Sequence, residues 1–151
     1  HVWASDIEEV PAQLAPRNAA RAGVEERVVV VRGAGLAPLY DAAGQQRFHL
    51  IVSNPPYIRD DEYEGLMRDV RAFEPRTALT AGREGLDVIG PLIHEARECL
   101  EPGGALLIEI GSSPQAEAVG QLMTEAGFSH IETALDLGKR SRVVVGRLFR
   151  G

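Results

Sequence analysis

"IVSNPPYIRD", residues 51–60, runs from an apolar stretch into Ser53-Asn54, then two prolines, then an aromatic ring. A proline fixes its own φ and supplies no backbone N–H, so Pro55 and Pro56 together make a stiff, donor-free turn. The residues leading into it, "FHLIVS" (48–53), read as a strand buried on both faces. Open α/β sheets place their ligand sites beyond the carboxyl ends of such strands. The turn therefore marks both a strand end and a candidate site.

Working outward, "RVVVVRG" (27–33) is a β-branched run that also predicts a strand buried on both faces, and "ALLIEI" (105–110) predicts a third. "VWAS" (2–5) is a shorter strand candidate. Helical spacing covers 7–23, 86–100 and 114–127. Asp6 suits the cap of the first helix and Gly23 its end, while Pro16 predicts a kink or a split within it. Pro91 suits the first turn of the second helix, and "PGG" (102–104) its stop. Residues 59–85 are irregular, a connection long enough to expect a function of it. "HIETALD" (130–136) and "RVVVGRLF" (142–149) read as two strands joined by "LGKRS", too short a link for a parallel crossover, so they should pair antiparallel. Alternating strands and helices predict an α/β fold with a mostly parallel sheet and an antiparallel C-terminal strand, in one domain or most of one.

The turn carries its own chemistry. The side-chain carbonyl of Asn54 and the backbone carbonyls of Asn54-Pro55-Pro56 offer acceptors with no competing proline donors. A planar NH2 group, either a carboxamide or the exocyclic amine of a base, fits such a clamp, and Tyr57 can stack on it. Holding both hydrogens orients the nitrogen and favours positive charge building there as it attacks an electrophile.

Composition narrows the setting. The chain has 151 residues, 44% hydrophobic and 25% charged, which is ordinary for a globular domain with a real core. No apolar run approaches the roughly 20 residues of a membrane span. A net charge of −6 argues against a nucleic-acid partner, which calls for a basic surface. Cys99 has no second cysteine to pair with and reads as a small buried hydrophobe, which suits a reducing compartment. No secretory leader is visible, and the expected location is the cytoplasm. The four histidines show no ligand spacing, so no metal is expected.

"VSNPPYI" resembles the Asn-Pro-Pro-Tyr motif of S-adenosylmethionine-dependent amino-group methyltransferases. Further segments extend the likeness: "DVRAFEPRTALTAGREGLD" (69–87), "LEPGGALLIEIG" (100–111), "AGF" (126–128) and "DLGKRSRVVVGR" (136–147). Together they resemble the release-factor glutamine methyltransferases of the HemK/PrmC type. The motif alone is shared with adenine methyltransferases of DNA and RNA, and the Glu-Pro segment and the Glu-Ile-Gly strand end narrow it to protein glutamine methylation. The resemblance implies a Rossmann-like methyltransferase fold, S-adenosyl-L-methionine as methyl donor and a peptide chain release factor as substrate.

Carried over residue by residue, the resemblance gives Asn54, Pro55 and Pro56 the grip on the substrate amide, with Tyr57 packing against it and Asn54 also near the cofactor. Asp6 falls where an acidic residue binds the cofactor ribose, and a carboxylate suits paired hydroxyls. Ala34 and Gly35 stand where the family has an Asp and often an aromatic residue beside the adenine, so side-chain contacts are lost there. Glu74 is a weak substrate-binding candidate, and Glu109 ends a strand near the cleft. Nothing here corresponds to the family's first strand with its Gly-rich cofactor loop, nor to its helical N-terminal substrate-docking domain. The chain therefore reads as residues 1–151 of a partial catalytic domain, with two inner strands left with unpaired apolar edges. Such a piece should fold poorly alone or pair with something, and a sharp monomeric unfolding transition would contradict that.

Three rivals stand beside this reading. An adenine amino-methyltransferase would use the same clamp but should bring a basic groove. A ribosomal-protein glutamine methyltransferase differs only in its substrate. A non-catalytic methyltransferase-like remnant would bind a partner without turnover.

Overall fold

β-Branched and aromatic residues at both ends of the first 32 positions form a parallel strand pair. Val2–Asp6 (β1) runs beside Val28–Arg32 (β2), with Val2 opposite Val28 and Asp6 opposite Arg32. This computed structural model describes residues 1–149. It divides into two compact units, His1–Arg47 and Phe48–Gly151.

In the first unit, Glu9–Arg21 (α1) joins the two strands as a crossover. It runs through Pro16 as one unbroken helix, so the kink or split expected there does not occur. Asp6 is not its cap either. Glu8 occupies that position without a side-chain cap bond, and Asp6 instead accepts the Glu8 N–H on Oδ1 at 2.9 Å. Gly23 follows the helix at φ +66°, a left-handed conformation that suits glycine, and the N–H groups of Ala22 and Gly23 return to Asn18 and Ala20. The short Ala37–Ala42 helix (α2) packs on both strands. β2 is not buried on both faces as its valine run suggests: Val29 is 40% exposed and its neighbours are intermediate. An apolar run states what a strand would tolerate, while burial depends on covering elements that its local sequence does not encode.

The second unit opens with Phe48–Ser53 (β3), matching the sequence reading residue for residue. Its sheet has the order β3-β4-β6-β5, built from Leu100–Glu109 (β4), Ser129–Leu135 (β5) and Ser141–Arg147 (β6). β3 and β4 are parallel, whereas β6 runs antiparallel to both β4 and β5. The antiparallel C-terminal pairing read from the five-residue link is therefore present. The connection after β3 carries the short helix Arg68–Phe73 (α3). Ile89–Cys99 (α4) and Ser113–Glu125 (α5) are the longer helices of this unit.

The core lies between these helices and β4. Ile89, Leu92, Ile93 and Ala96 recur at helical spacing and bury the inner face of α4, while Ala116, Val119 and Met123 do the same for α5. Leu106 and Ile108, with Ile110 just past the strand end, alternate onto one face and are fully buried, while on the other face Ala105 is buried and Leu107 and Glu109 are only partly covered. Each fully buried Leu or Ile side chain contributes roughly 1.5–3 kcal/mol of burial. Cys99 is buried at the end of α4, as its reading required.

β3 departs from its reading. Ile51 is buried, but Leu50 and Val52 are 55% and 68% exposed, so only one face is covered. Among the described residues β3 pairs with β4 alone and β1 with β2 alone, leaving each with an unpaired edge. "PGG" also acts differently from a helix stop, because α4 ends at Cys99 and β4 begins at once with Leu100. Gly103, at φ +83°, instead sits in a register shift: Phe48 faces Leu100, but Leu50 faces Ala105. The extra residues loop out and pair with the C-terminal segment, Gly103 N–H to Leu148 O at 2.6 Å and Leu148 N–H to Gly104 O at 2.9 Å.

Candidate active site

β3 delivers Asn54 to its carboxyl end, where the chain leaves the sheet through Pro55 and Pro56. Pro55 is buried and anchors the turn, Pro56 and Tyr57 are half-buried, and Asn54 is exposed. The chain then folds back on the 59–85 connection. Ile58 donates to Leu79 O at 2.9 Å and accepts from the Ala81 N–H at 2.9 Å, and Asp60 donates to Gly82 O at 3.0 Å. The long connection thus braces the exit from the turn. Its surface ion pairs, such as Arg59 with Asp61 at 2.8 Å and Arg71 with Glu64 at 2.8 Å, add little by comparison.

Tyr57 is held at three points. Its phenol donates to Glu109 Oε1 at 3.4 Å, bringing together the turn and the end of β4. Its ring lies along Gly111, where an added Cβ would stand 3.0 Å from ring carbons Cδ2 and Cε2. Its carbonyl accepts from Gln115 Nε2 at 3.0 Å. Arg142, on β6, donates from Nη1 to Ile110 O at 3.0 Å and pairs through Nη2 with Asp136 at 3.5 Å. A cleft of about 900 Å³ opens beside Tyr57, lined by Leu66, Glu84, Leu86, Gln115 and Arg142 among others.

Burial first, and the Glu109 carboxylate second, raise the Tyr57 phenol above its ordinary pKa of 10.0, while Arg142 pulls weakly the other way. A folded value above the unfolded one contributes stability that is present below the unfolded pKa and lost as pH rises through the folded one. Alkaline destabilisation is therefore expected above about pH 10. Tyr57→Phe should remove that component, which urea midpoints measured at about pH 9 and about pH 11 would show.

The first unit gathers the other candidates. Asp6 closes β1, and its backbone carbonyl accepts from the Gly33 N–H at 3.0 Å, while Ser5 Oγ donates to Gly35 O at 3.2 Å. Asp6 thus shares the carboxyl end of the β1–β2 pair with Ala34 and Gly35. Its carboxylate is half-exposed, and its bond to the Glu8 N–H uses one of about four acceptor positions, so capacity for a diol remains. Ala34 and Gly35 are exposed and offer only backbone. Glu74 stands exposed just after α3, and no bond among the described residues ties its carboxylate to the turn.

Sequence gives Gln115 and Arg142 no role, and it marks Gly85 and Gly111 only as parts of segments that resemble the family. Ser112-Ser113-Pro114-Gln115 has the spacing of a helix capping box, which gives Gln115 a complete local explanation. Ser112 does cap α5, accepting the Gln115 N–H at 3.4 Å, but the Gln115 side chain reaches elsewhere. Arg142 meets Asp136 in the β5–β6 link and Ile110 just past β4.

The fold is similar to that of methyltransferases of known structure. A methyltransferase from Pyrococcus furiosus superposes with a TM-score of 0.70 at 19% identity, covering 99% of this chain and 63% of that one. A SAM-dependent O-methyltransferase from Thermotoga maritima superposes at 0.65 and 13% identity, covering 99% and 50%.

In sequence, the chain is a homologue of the release factor glutamine methyltransferases. The protein of that name from Geobacter sulfurreducens is 42% identical over 150 residues, 98% of this chain and 50% of its own length. Others of the same name match at 30% to 44% identity. The chain spans about half the length of the curated relatives it matches over nearly its whole extent. No family model matches it.

Proposed function

We propose that the protein carrying this chain transfers a methyl group from S-adenosylmethionine to the side-chain amide nitrogen of a glutamine in a peptide chain release factor. The observation that carries this is the braced Asn54-Pro55-Pro56-Tyr57 turn, a rigid acceptor cluster at a strand end, in a chain with those homologues. The acidic composition fits a protein substrate better than a nucleic acid, and the proposed location is the cytoplasm. No helix among the described residues is long and apolar enough to cross a membrane.

S-adenosylmethionine, when bound, supplies an electrophilic methyl group on a positively charged sulfur. Asp6 would hold its ribose hydroxyls, and the backbone at Ala34 and Gly35 would border the adenine. Asn54 and the Asn-Pro-Pro carbonyls would accept both hydrogens of the glutamine amide, turning the nitrogen lone pair toward the methyl carbon. Methylation of that nitrogen would leave the cofactor as its neutral thioether and release one amide hydrogen as a proton to solvent water. These residues act by orientation and by stabilising charge on nitrogen, and the chemistry asks for no metal. Tyr57 keeps the turn in place and closes one side of the amide slot. The cleft beside it is large enough to take substrate chain flanking the glutamine. Glu74, exposed, remains a candidate contact to that chain.

The test is transfer of labelled methyl to three acceptors in parallel: a release factor, a glutamine-bearing ribosomal protein and adenine-containing nucleic acid. Label on the release factor alone is expected, and label on nucleic acid alone would overturn the reading. Asp6→Ala should weaken S-adenosylmethionine binding about tenfold or more by calorimetry, the scale of losing hydrogen bonds to a charged group. Unchanged affinity would remove Asp6 from the cofactor site.

A further inference from the structure

Gln115 makes three side-chain bonds to three segments far apart in sequence. Its Oε1 accepts from the Gly111 N–H at 2.8 Å, and its Nε2 donates to Tyr57 O at 3.0 Å and to Gly85 O at 3.1 Å. The amide orientation is dictated by its partners, since a flip would face N–H against N–H and carbonyl against two carbonyls. Only a primary carboxamide of this length supplies one acceptor and two donors here. Glutamate would put a negative charge against two carbonyl oxygens, and methionine would fill the space without bonding.

The surroundings are shaped to this side chain. Gly85 sits at φ +70°, and a Cβ there would overlap Tyr57 O and stand 3.0 Å from Gln115 Nε2. A Cβ on Gly111 would stand 3.6 Å from Gln115 Oε1 and closer still to the Tyr57 ring. Two glycines therefore leave room for one arrangement in which Gln115 grips the backbone of Tyr57. The prolines before Tyr57 donate no backbone hydrogen bonds of their own, so the turn depends on bonds made to its carbonyls and to the residues that follow.

We propose that Gln115 is a positioning residue, fixing the Asn54-Pro55-Pro56-Tyr57 turn in its working geometry by tying the Tyr57 carbonyl to the Gly85 loop and to Gly111. The catalytic part of this inference rests on the methyltransferase reading above, while the structural part does not. A displacement of the turn by about 1 Å is enough to cost on the order of 100-fold in rate.

The experiment compares Gln115→Met, Gln115→Glu and Gln121→Met in the intact protein that carries this chain. Gln121 lies on the same helix and, among the described residues, its side chain bonds to exposed Glu125, so its variant controls for changes to α5. Methyl transfer to a glutamine-bearing release factor is expected to fall about 10- to 100-fold in kcat for both Gln115 variants. KM for S-adenosylmethionine should stay unchanged, and Gln121→Met should match wild type. Wild-type kcat in Gln115→Met would overturn the proposal. So would a loss matched by weaker cofactor binding and early melting, which would make Gln115 merely structural.

Should the wild-type protein methylate no glutamine, the functional reading fails while the positioning claim is still decided by a second measurement. Tyrosinate absorbance, assigned with Tyr57→Phe, should show the Tyr57 phenol titrating closer to its ordinary value in Gln115→Met than in wild type. An identical titration would overturn the positioning claim independently of activity.

Discussion

Asn54→Ala is expected to lower kcat by about 10²- to 10³-fold while leaving the melting temperature unchanged, the loss seen when one preorganised polar partner is removed from a reacting group. Asn54 is exposed at the end of β3, so truncating it opens no cavity and leaves no buried group unpaired. Fold stability therefore has little to lose. On the proposed function, what disappears is the side-chain amide acceptor of the turn, which would help hold the hydrogens of the substrate amide while charge builds on nitrogen. Asn54→Asp separates acceptor from charge, because it keeps the acceptor and adds a negative charge. Circular dichroism melts beside single-turnover methyl transfer check the pair. A fall in melting temperature that accounts for the lost rate would contradict a chemical role for Asn54.

Gly85→Ala should combine the largest structural effect with a loss of rate. The φ of +70° costs an L-residue roughly 1–2 kcal/mol, and the new methyl group also overlaps the Tyr57 carbonyl oxygen. Backbone cannot rotate away as a flexible side chain can, so the loop or the turn must move. A destabilisation of at least about 2 kcal/mol is expected, or a melting temperature lower by roughly 4–8 °C. Turnover should fall on the order of 100-fold as the turn shifts. Gly90→Ala is the control, since Gly90 lies inside α4 with open space around it, and alanine there should be neutral or stabilising. Denaturant unfolding and initial rates on the two variants decide this, and a wild-type rate in Gly85→Ala would show that the turn does not depend on this loop.

The parts of the fold legible in the sequence are those whose cause is local. The valine run at 28–31 and "FHLIVS" place β2 and β3 because branched residues favour extended backbone wherever the strand ends up. The apolar spacing of Ile89, Ile93 and Ala96 places α4 for the same kind of reason. Burial was not legible, since Val29, Leu50 and Val52 are as apolar as core residues yet exposed. "PGG" marked a break correctly and its kind wrongly, because glycine and proline signal a backbone departure equally well at a helix end and at a register shift. The helix-breaking signal of Pro16 has no effect, as α1 continues through it.

The site divides along the same line. Asn54 through Tyr57 announce themselves because two prolines after a strand are rare and chemically pointed. Glu109 was visible as a strand end, but only the fold puts its carboxylate on the Tyr57 phenol. Gln115 was hidden by a sufficient local explanation, the capping box, while its bonds span to residues 57 and 85. Glycines 85 and 111 are intelligible only once their neighbours are known.

The central claim is chemical and atomic: a methyl group placed on the side-chain nitrogen of a glutamine. The most direct measurement is fragment-ion mass spectrometry of a release factor incubated with the protein and isotopically labelled S-adenosylmethionine, beside the same factor with the candidate glutamine replaced by alanine. One labelled methyl on that glutamine amide, absent from the alanine form and from a reaction with Asn54→Ala, is the expected result. Label on another residue type, or none from a folded protein that binds S-adenosylmethionine, would contradict it.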